Sequence, residues 1–213
     1  MKGFEGFIFD LDGTVADSLY VWKEVDRKFF KRRDMEVPKG YEEKINAMSF
    51  EQAAIYTKEE FGIKESIDKI KKEWFSDAVY EYSNNVKFKE KAKEYIEYIK
   101  KQNFKTALCT ASPKELYEPF LKNRNSQYLF DVIVSGQEVN KNKSFPDIYL
   151  MTAQRLNIPP SKCVVFEDIS SAVLGAKKAG MYTVGVFDEA NKFDTEKLKK
   201  EADKFIFNFT EIY

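Results

Sequence analysis

The sequence predicts an α/β chain, a doubly wound parallel sheet covered by helices, with a block of helices inserted near its start. Three observations carry that prediction. Short apolar runs recur from residue 104 to residue 207, helical patterns separate most of them, and residues 18–84 interrupt the alternation with helices alone. The expected division is a core domain of residues 1–17 and 85–213 and a helical insert of residues 18–84.

The first run, Phe7-Ile8-Phe9 with Phe4 before it, is bounded by Glu5-Gly6 and by Asp12-Gly13. It reads as a short strand buried on both faces. Asp10 and Asp12 fall at its carboxyl end, the edge beside which open α/β sheets bind ligands. Taken alone, Asp-Leu-Asp-Gly reads equally well as a turn.

After Ser18 the period changes. Leu19, Trp22, Val25, Phe29 and Phe30 recur at helical spacing, with Lys23, Glu24, Asp26, Arg27 and Lys28 as the polar residues between them. Ser49-Phe50-Glu51-Gln52 has the form of a capping box that opens a second helix. Ile67, Ile70, Trp74, Ala78, Val79 and Tyr82 mark a third, ending near Asn84-Asn85. Aromatic residues scattered through this block read as its core rather than as a stacking platform for nucleic acid.

Lys87 to Lys101 alternates lysine with glutamate and reads as a solvated helical face. Beyond it the expected strands are Phe104–Cys109, Asp131–Ser135, Cys163–Phe166, Thr183–Phe187 and Phe205–Phe207. Helical patterns cover Lys114–Lys122, Asp147–Leu156 and Ser171–Ala179.

Composition narrows the chemistry. Acidic and basic residues balance at thirty-five each, so neither nucleic acid nor an acidic membrane is an indicated partner. There is no histidine, which removes histidine-based triads, general bases and metal sites and leaves carboxylate chemistry with a hard cation. Cys109 and Cys163 have no metal or redox spacing and read as small buried residues of a reducing compartment. The first residues lack the apolar core of a signal peptide and no run approaches transmembrane length, so a cytoplasmic protein is expected. Oligomeric state is not legible, and a monomer is compatible with the sequence.

Further strand ends carry polar groups. Thr110-Ala111-Ser112-Pro113 closes the second core strand, and Ser112 before Pro113 has the chemistry of a helix N-cap whose free amides would suit an anion. Lys143 lies in Asn142-Lys143-Ser144-Phe145-Pro146-Asp147-Ile148-Tyr149, with Lys141 as a competitor for its role. Glu167 and Asp168 end the strand Val164-Val165-Phe166, a costly place for two acids unless water, cations or hydrogen bonds compensate them.

Asp10-Leu11-Asp12-Gly13-Thr14-Val15-Ala16-Asp17-Ser18 resembles the first motif of the haloacid dehalogenase superfamily. Thr110 matches its second motif, Lys143-x-x-Pro-Asp-Ile-Tyr its third, and Glu167-Asp168 followed by Ala176-Lys177-Lys178-Ala179-Gly180 its fourth. Asn142 and Ser144 replace a usual glycine and proline, and Ile169 and Ala172 stand where relatives often carry serine and glycine. The helical insert after the first motif resembles the subclass with a small helical cap, whose members include enzymes of the beta-phosphoglucomutase and phosphoglycolate phosphatase kind.

The resemblance implies a magnesium-dependent phosphatase that acts through an aspartyl-phosphate on a small phosphorylated metabolite. Asp10 would be the nucleophile and Asp12 the general acid and base. Thr110, Ala111, Ser112 and Lys143 would hold the phosphoryl group. Magnesium would be held by Asp10, the main-chain carbonyl of Asp12 and Asp168, with Glu167 near a bound water. A sugar phosphomutase is the alternative, but its relatives carry a histidine where this chain has Trp22, an arginine where it has Phe50 and a lysine where it has Pro113. A non-catalytic binding protein would be expected to have lost one of Asp10, Asp12, Lys143 or Asp168. A dehalogenase would have replaced Asp12. Sugar phosphates, phosphoglycolate and nucleoside monophosphates all fit, with Ser49 and Phe50 as candidate specificity residues.

Overall fold

The computed structural model describes residues 3–46 and 48–212. Along the chain it contains β1 (Gly6–Phe9), β2 (Ala16–Asp17), α1 (Val21–Lys31), α2 (Tyr41–Ile45), α3 (Phe50–Glu60), α4 (Ile67–Asn84), β3 (Lys87–Phe88), α5 (Ala92–Lys101), β4 (Lys105–Thr110) and α6 (Lys114–Asn123). There follow β5 (Val132–Ser135), α7 (Asp147–Leu156), β6 (Cys163–Glu167), α8 (Ser170–Lys178), β7 (Tyr182–Val186), α9 (Thr195–Glu201) and β8 (Lys204–Ile206). The chain divides into two compact units, one running to Leu19 and resuming at Val86, the other Tyr20–Asn85.

In the first unit six strands form one sheet in the order β5-β4-β1-β6-β7-β8, and every pairing is parallel. Sequence order runs outward in one direction from β1 through β4 and in the other from β6. The switch point therefore lies between β1 and β6, where such sheets open a crevice at their carboxyl edge. Both faces are covered. Ile8, Ala107, Cys109, Val134 and Val165 point to one side, against Ile148, Tyr149 and Ala153 of α7. Phe9 and Phe166 point to the other and stack 4.6 Å apart, with Tyr95 of α5 and Phe209 beside them. Period-two alternation of wholly apolar residues is what a two-sided sheet requires.

Residues 87–101 depart from the solvated helix expected of them. Lys87 and Phe88 pair antiparallel with Asp17 and Ala16, and α5 buries Ala92, Tyr95, Ile96 and Ile99 against the sheet while its lysines stay outward. Charge alternation described one face of that helix and hid the other. Gly6, read as a boundary, belongs to β1, with Phe4 outside it. Cys109 and Cys163 are both buried free thiols.

In the second unit α4 packs on α1 and α3. Its interior is aromatic, with Phe29 against Trp74 and Phe30 against Tyr41 and Phe61. The Tyr41 hydroxyl lies 2.7 Å from Thr57 Oγ1. Ser49 and Gln52 form the expected capping box at the start of α3. Asp26 is not the solvated residue the pattern suggests, since it is 6% exposed. No helix among the described residues is long and apolar enough to cross a membrane.

Candidate active site

Strand β1 ends at Phe9, and the next residue, Asp10, still donates its amide to the Phe166 carbonyl of β6 at 3.0 Å. That bond pins the first acid beside the end of β6, where Glu167 and Asp168 follow. Ligand oxygens of Asp10, Glu167 and Asp168 lie within 4.8 Å of one another, and all three residues are buried. Asp12 sits in a tight loop whose Gly13 has φ of 81°. A Cβ on Gly13 would lie 2.2 Å from Asp168 Oδ2, so only glycine lets the first and fourth motifs approach this closely.

Lys143 is the cation of the cluster. Its Nζ donates to Asp10 Oδ1 at 2.6 Å and pairs with Glu167. Glu167 also accepts from the Tyr149 hydroxyl at 2.8 Å, which turns it towards the α7 side of the sheet. Lys141, by contrast, lies outside, 3.5 Å from Asp147. A Cβ on Gly175 of α8 would lie 2.0 Å from the Lys143 carbonyl, so the helix surface is cut away to seat the segment that delivers the lysine.

Electrostatics follow from that crowding. Burial pushes the Asp10 carboxyl well above its usual range, Lys143 opposes the rise, and Glu167, Asp168 and Asp12 add to it. Burial and then Glu167 push Asp168 up to about 7. Desolvation works against the Lys143 ammonium, but Asp10 and Glu167 outweigh it and hold the group charged well above its usual range. Three buried carboxylates with one ammonium carry excess negative charge, and their donors are all oxygen. A hard divalent cation fits that set.

Asp12 is held differently. Ser18 Oγ donates to its Oδ1 and Ser112 Oγ to its Oδ2, each at 2.6 Å. Ser112 is therefore not the N-cap expected of it. Pro113 occupies that position with no side-chain cap, because the Ser112 hydroxyl is spent on Asp12 and its amide on Thr110 Oγ1 at 2.9 Å. Ser135 Oγ braces the loop by donating to the Ser112 carbonyl at 2.9 Å.

A cleft of about 630 Å³ collects most of the expected site, with Asp10, Asp12, Ala111, Lys143, Glu167 and Asp168 on its walls. Thr110 and Ser112 are not on those walls. Thr110 is fully buried behind Ala111, and Ser112 reaches the site through Asp12. Asn191, which sequence reasoning missed, also lines the cleft and donates to Asp168 Oδ2 at 2.6 Å. It sits in a short turn after β7 with no motif around it, so no local signal could have found it.

Comparison with known proteins decides the family. Residues 7–186 match the model of the haloacid dehalogenase-like hydrolases. The chain belongs to that family. A relative from Thermotoga maritima, named phosphorylated carbohydrates phosphatase, is 30% identical over 188 residues, covering 88% of this hydrolase and 87% of the relative. Validoxylamine A 7'-phosphate phosphatase of Streptomyces hygroscopicus subsp. limoneus is 25% identical, covering 96% and 94%. Among solved structures, a Thermotoga maritima protein provisionally described as a beta-phosphoglucomutase superposes with a TM-score of 0.85 at 29% identity, covering 95% and 94%.

Proposed function

We propose that this hydrolase is a phosphatase of small phosphorylated molecules that works through an aspartyl-phosphate. The observation that carries the reading is the pairing of Asp10 with Lys143 in a buried carboxylate cluster, two residues before an acid held by a separate set of groups. Lys143 holds Asp10 Oδ1 in place and leaves the other oxygen to attack phosphorus in line. The same ammonium faces the charge of the phosphoryl group as it transfers. Thr110 and the Ala111 and Ser112 segment would receive the phosphoryl oxygens, which requires the loop beyond β4 to turn its donors into the cleft.

Asp12 suits the double part of general acid for the leaving alkoxide and general base for water. A serine hydroxyl donates to a carboxylate but can rotate to accept from a carboxylic acid, so Ser18 and Ser112 keep Asp12 oriented in both protonation states. Magnesium is the cation we assign to the cluster, held by Asp10, Asp168 and the main-chain carbonyl of Asp12, with Glu167 behind them. When bound, it supplies positive charge that neutralises the acids and polarises the phosphoryl oxygens.

Small sugar phosphates are a supported substrate class, because the relatives named above are phosphatases of phosphorylated carbohydrates and of validoxylamine A 7'-phosphate. Likeness to the provisional beta-phosphoglucomutase makes sugar-phosphate isomerisation the second assay.

The test is phosphate release from a panel of small phosphomonoesters with magnesium or with EDTA, run beside Asp10→Asn. Expected is magnesium-dependent release that the substitution abolishes. Release that persists in folded Asp10→Asn removes the aspartyl-phosphate route.

A further inference from the structure

The helical unit contains a pocket of its own, about 240 Å³, walled by Trp22, Phe50 and Trp74 and closed by Met48, Asn46 and Asp26. Phe50 stands edge-on between the two indoles, its centroid 5.7 Å from each. Trp22 and Asp26 lie one turn apart on α1, so ring and carboxylate share one face of that helix.

Two polar groups there lack partners. Asp26 is almost fully buried, and among the described residues no hydrogen bond or ion pair reaches its carboxylate. The indole N–H of Trp74 is buried without an acceptor. A buried carboxylate with no partner costs free energy, and a cavity beside such a group gives room for a ligand that compensates it. None of the pocket's lining residues is basic, and the nearby Glu42 is already paired with Lys23 at 3.1 Å, which leaves Asp26 as the charge of the pocket. Trp22, Phe50 and Trp74 line the pocket, and an aromatic ring carries negative potential on its face. An anion is repelled from such a site and a cation is drawn in.

We propose that this pocket binds the ammonium head of a small organic cation, with Asp26 as counter-ion and Trp22, Phe50 and Trp74 as its walls. Rings around a carboxylate make the arrangement that recognises alkylated ammonium groups. The cation is a free amine, and its binding does not rest on the phosphatase reading.

The chain has two tryptophans and both line this pocket, so intrinsic fluorescence reports its occupancy without turnover. The intact protein is titrated with choline and with 3,3-dimethylbutanol, the uncharged isostere of choline. Expected is a saturable change with choline, weaker by about tenfold or more for the isostere and for Asp26→Asn. Phe50→Leu, at a half-exposed position, provides a second variant that should bind choline several-fold more weakly. No saturable change with choline, or equal binding of the isostere, overturns the assignment, as does undiminished choline binding by folded Asp26→Asn.

Discussion

Asp12 and Asp26 show how differently two carboxyl groups of one chain are treated. Asp12 accepts from two hydroxyls and needs both for orientation. Ser112→Ala removes one of them, and we expect kcat to fall by about tenfold with KM little changed, read from initial rates on the preferred phosphomonoester. Asp26 has no such partners, and burial, reinforced by Glu42, pushes its carboxyl up to about 7. A folded-state pKa above the unfolded value of about 3.9 means that folding disfavours the charged form. The contribution of this group to stability is thus greatest below pH 4, falls as pH rises towards 7 and then levels. Asp26→Asn abolishes that loss. Its stability should match the parent's near pH 4 and exceed it above pH 7 by on the order of 1 to 4 kcal/mol, at about 1.4 kcal/mol per pKa unit, read as a higher melting temperature. Equal melting temperatures at pH 8 would show that the carboxylate is compensated in solution.

At the scale of elements, the site depends on where backbones can touch. Helix α8 bears no cleft chemistry in its middle, yet Gly175 there allows the Lys143 main chain to lie on it. Gly175→Val puts a side chain where the Lys143 carbonyl now sits. Overpacking of this kind costs about 1 to 3 kcal/mol, and the displaced backbone carries the ammonium away from Asp10. Turnover should collapse while circular dichroism keeps its α/β signature; a variant that retains full activity would show that the Lys143 segment has slack. The same scale explains which elements were legible. The core strands were marked by apolar runs, because burial on both faces leaves little choice of residue. The ribbon of β2 and β3 was not, since two-residue strands that pair Asp17 with Lys87 carry no periodicity.

The whole molecule brings five distant segments to one crevice, and its charge makes cation binding and stability interdependent. Magnesium that binds the folded carboxylate cluster and not the unfolded chain must raise the melting temperature as its concentration rises. We expect that rise to disappear with EDTA and to shrink strongly in Asp168→Asn, measured by scanning calorimetry; an unchanged melting temperature across magnesium concentrations would remove the cation from the cluster. By itself the sequence determined the class of fold, the carboxyl-edge placement of Asp10, Asp12, Glu167 and Asp168, and an inventory that offers carboxylates and no histidine. Those follow from local pattern and from residue inventory. Only the tertiary structure decided that Lys143 and not Lys141 meets Asp10, that Ser112 serves Asp12 instead of a helix cap, that Asn191 joins the site and that Asp26 is buried. Each of these depends on which chain segments the parallel sheet and the helix packing bring together, and a contact between residues far apart in sequence leaves no periodic trace in either segment.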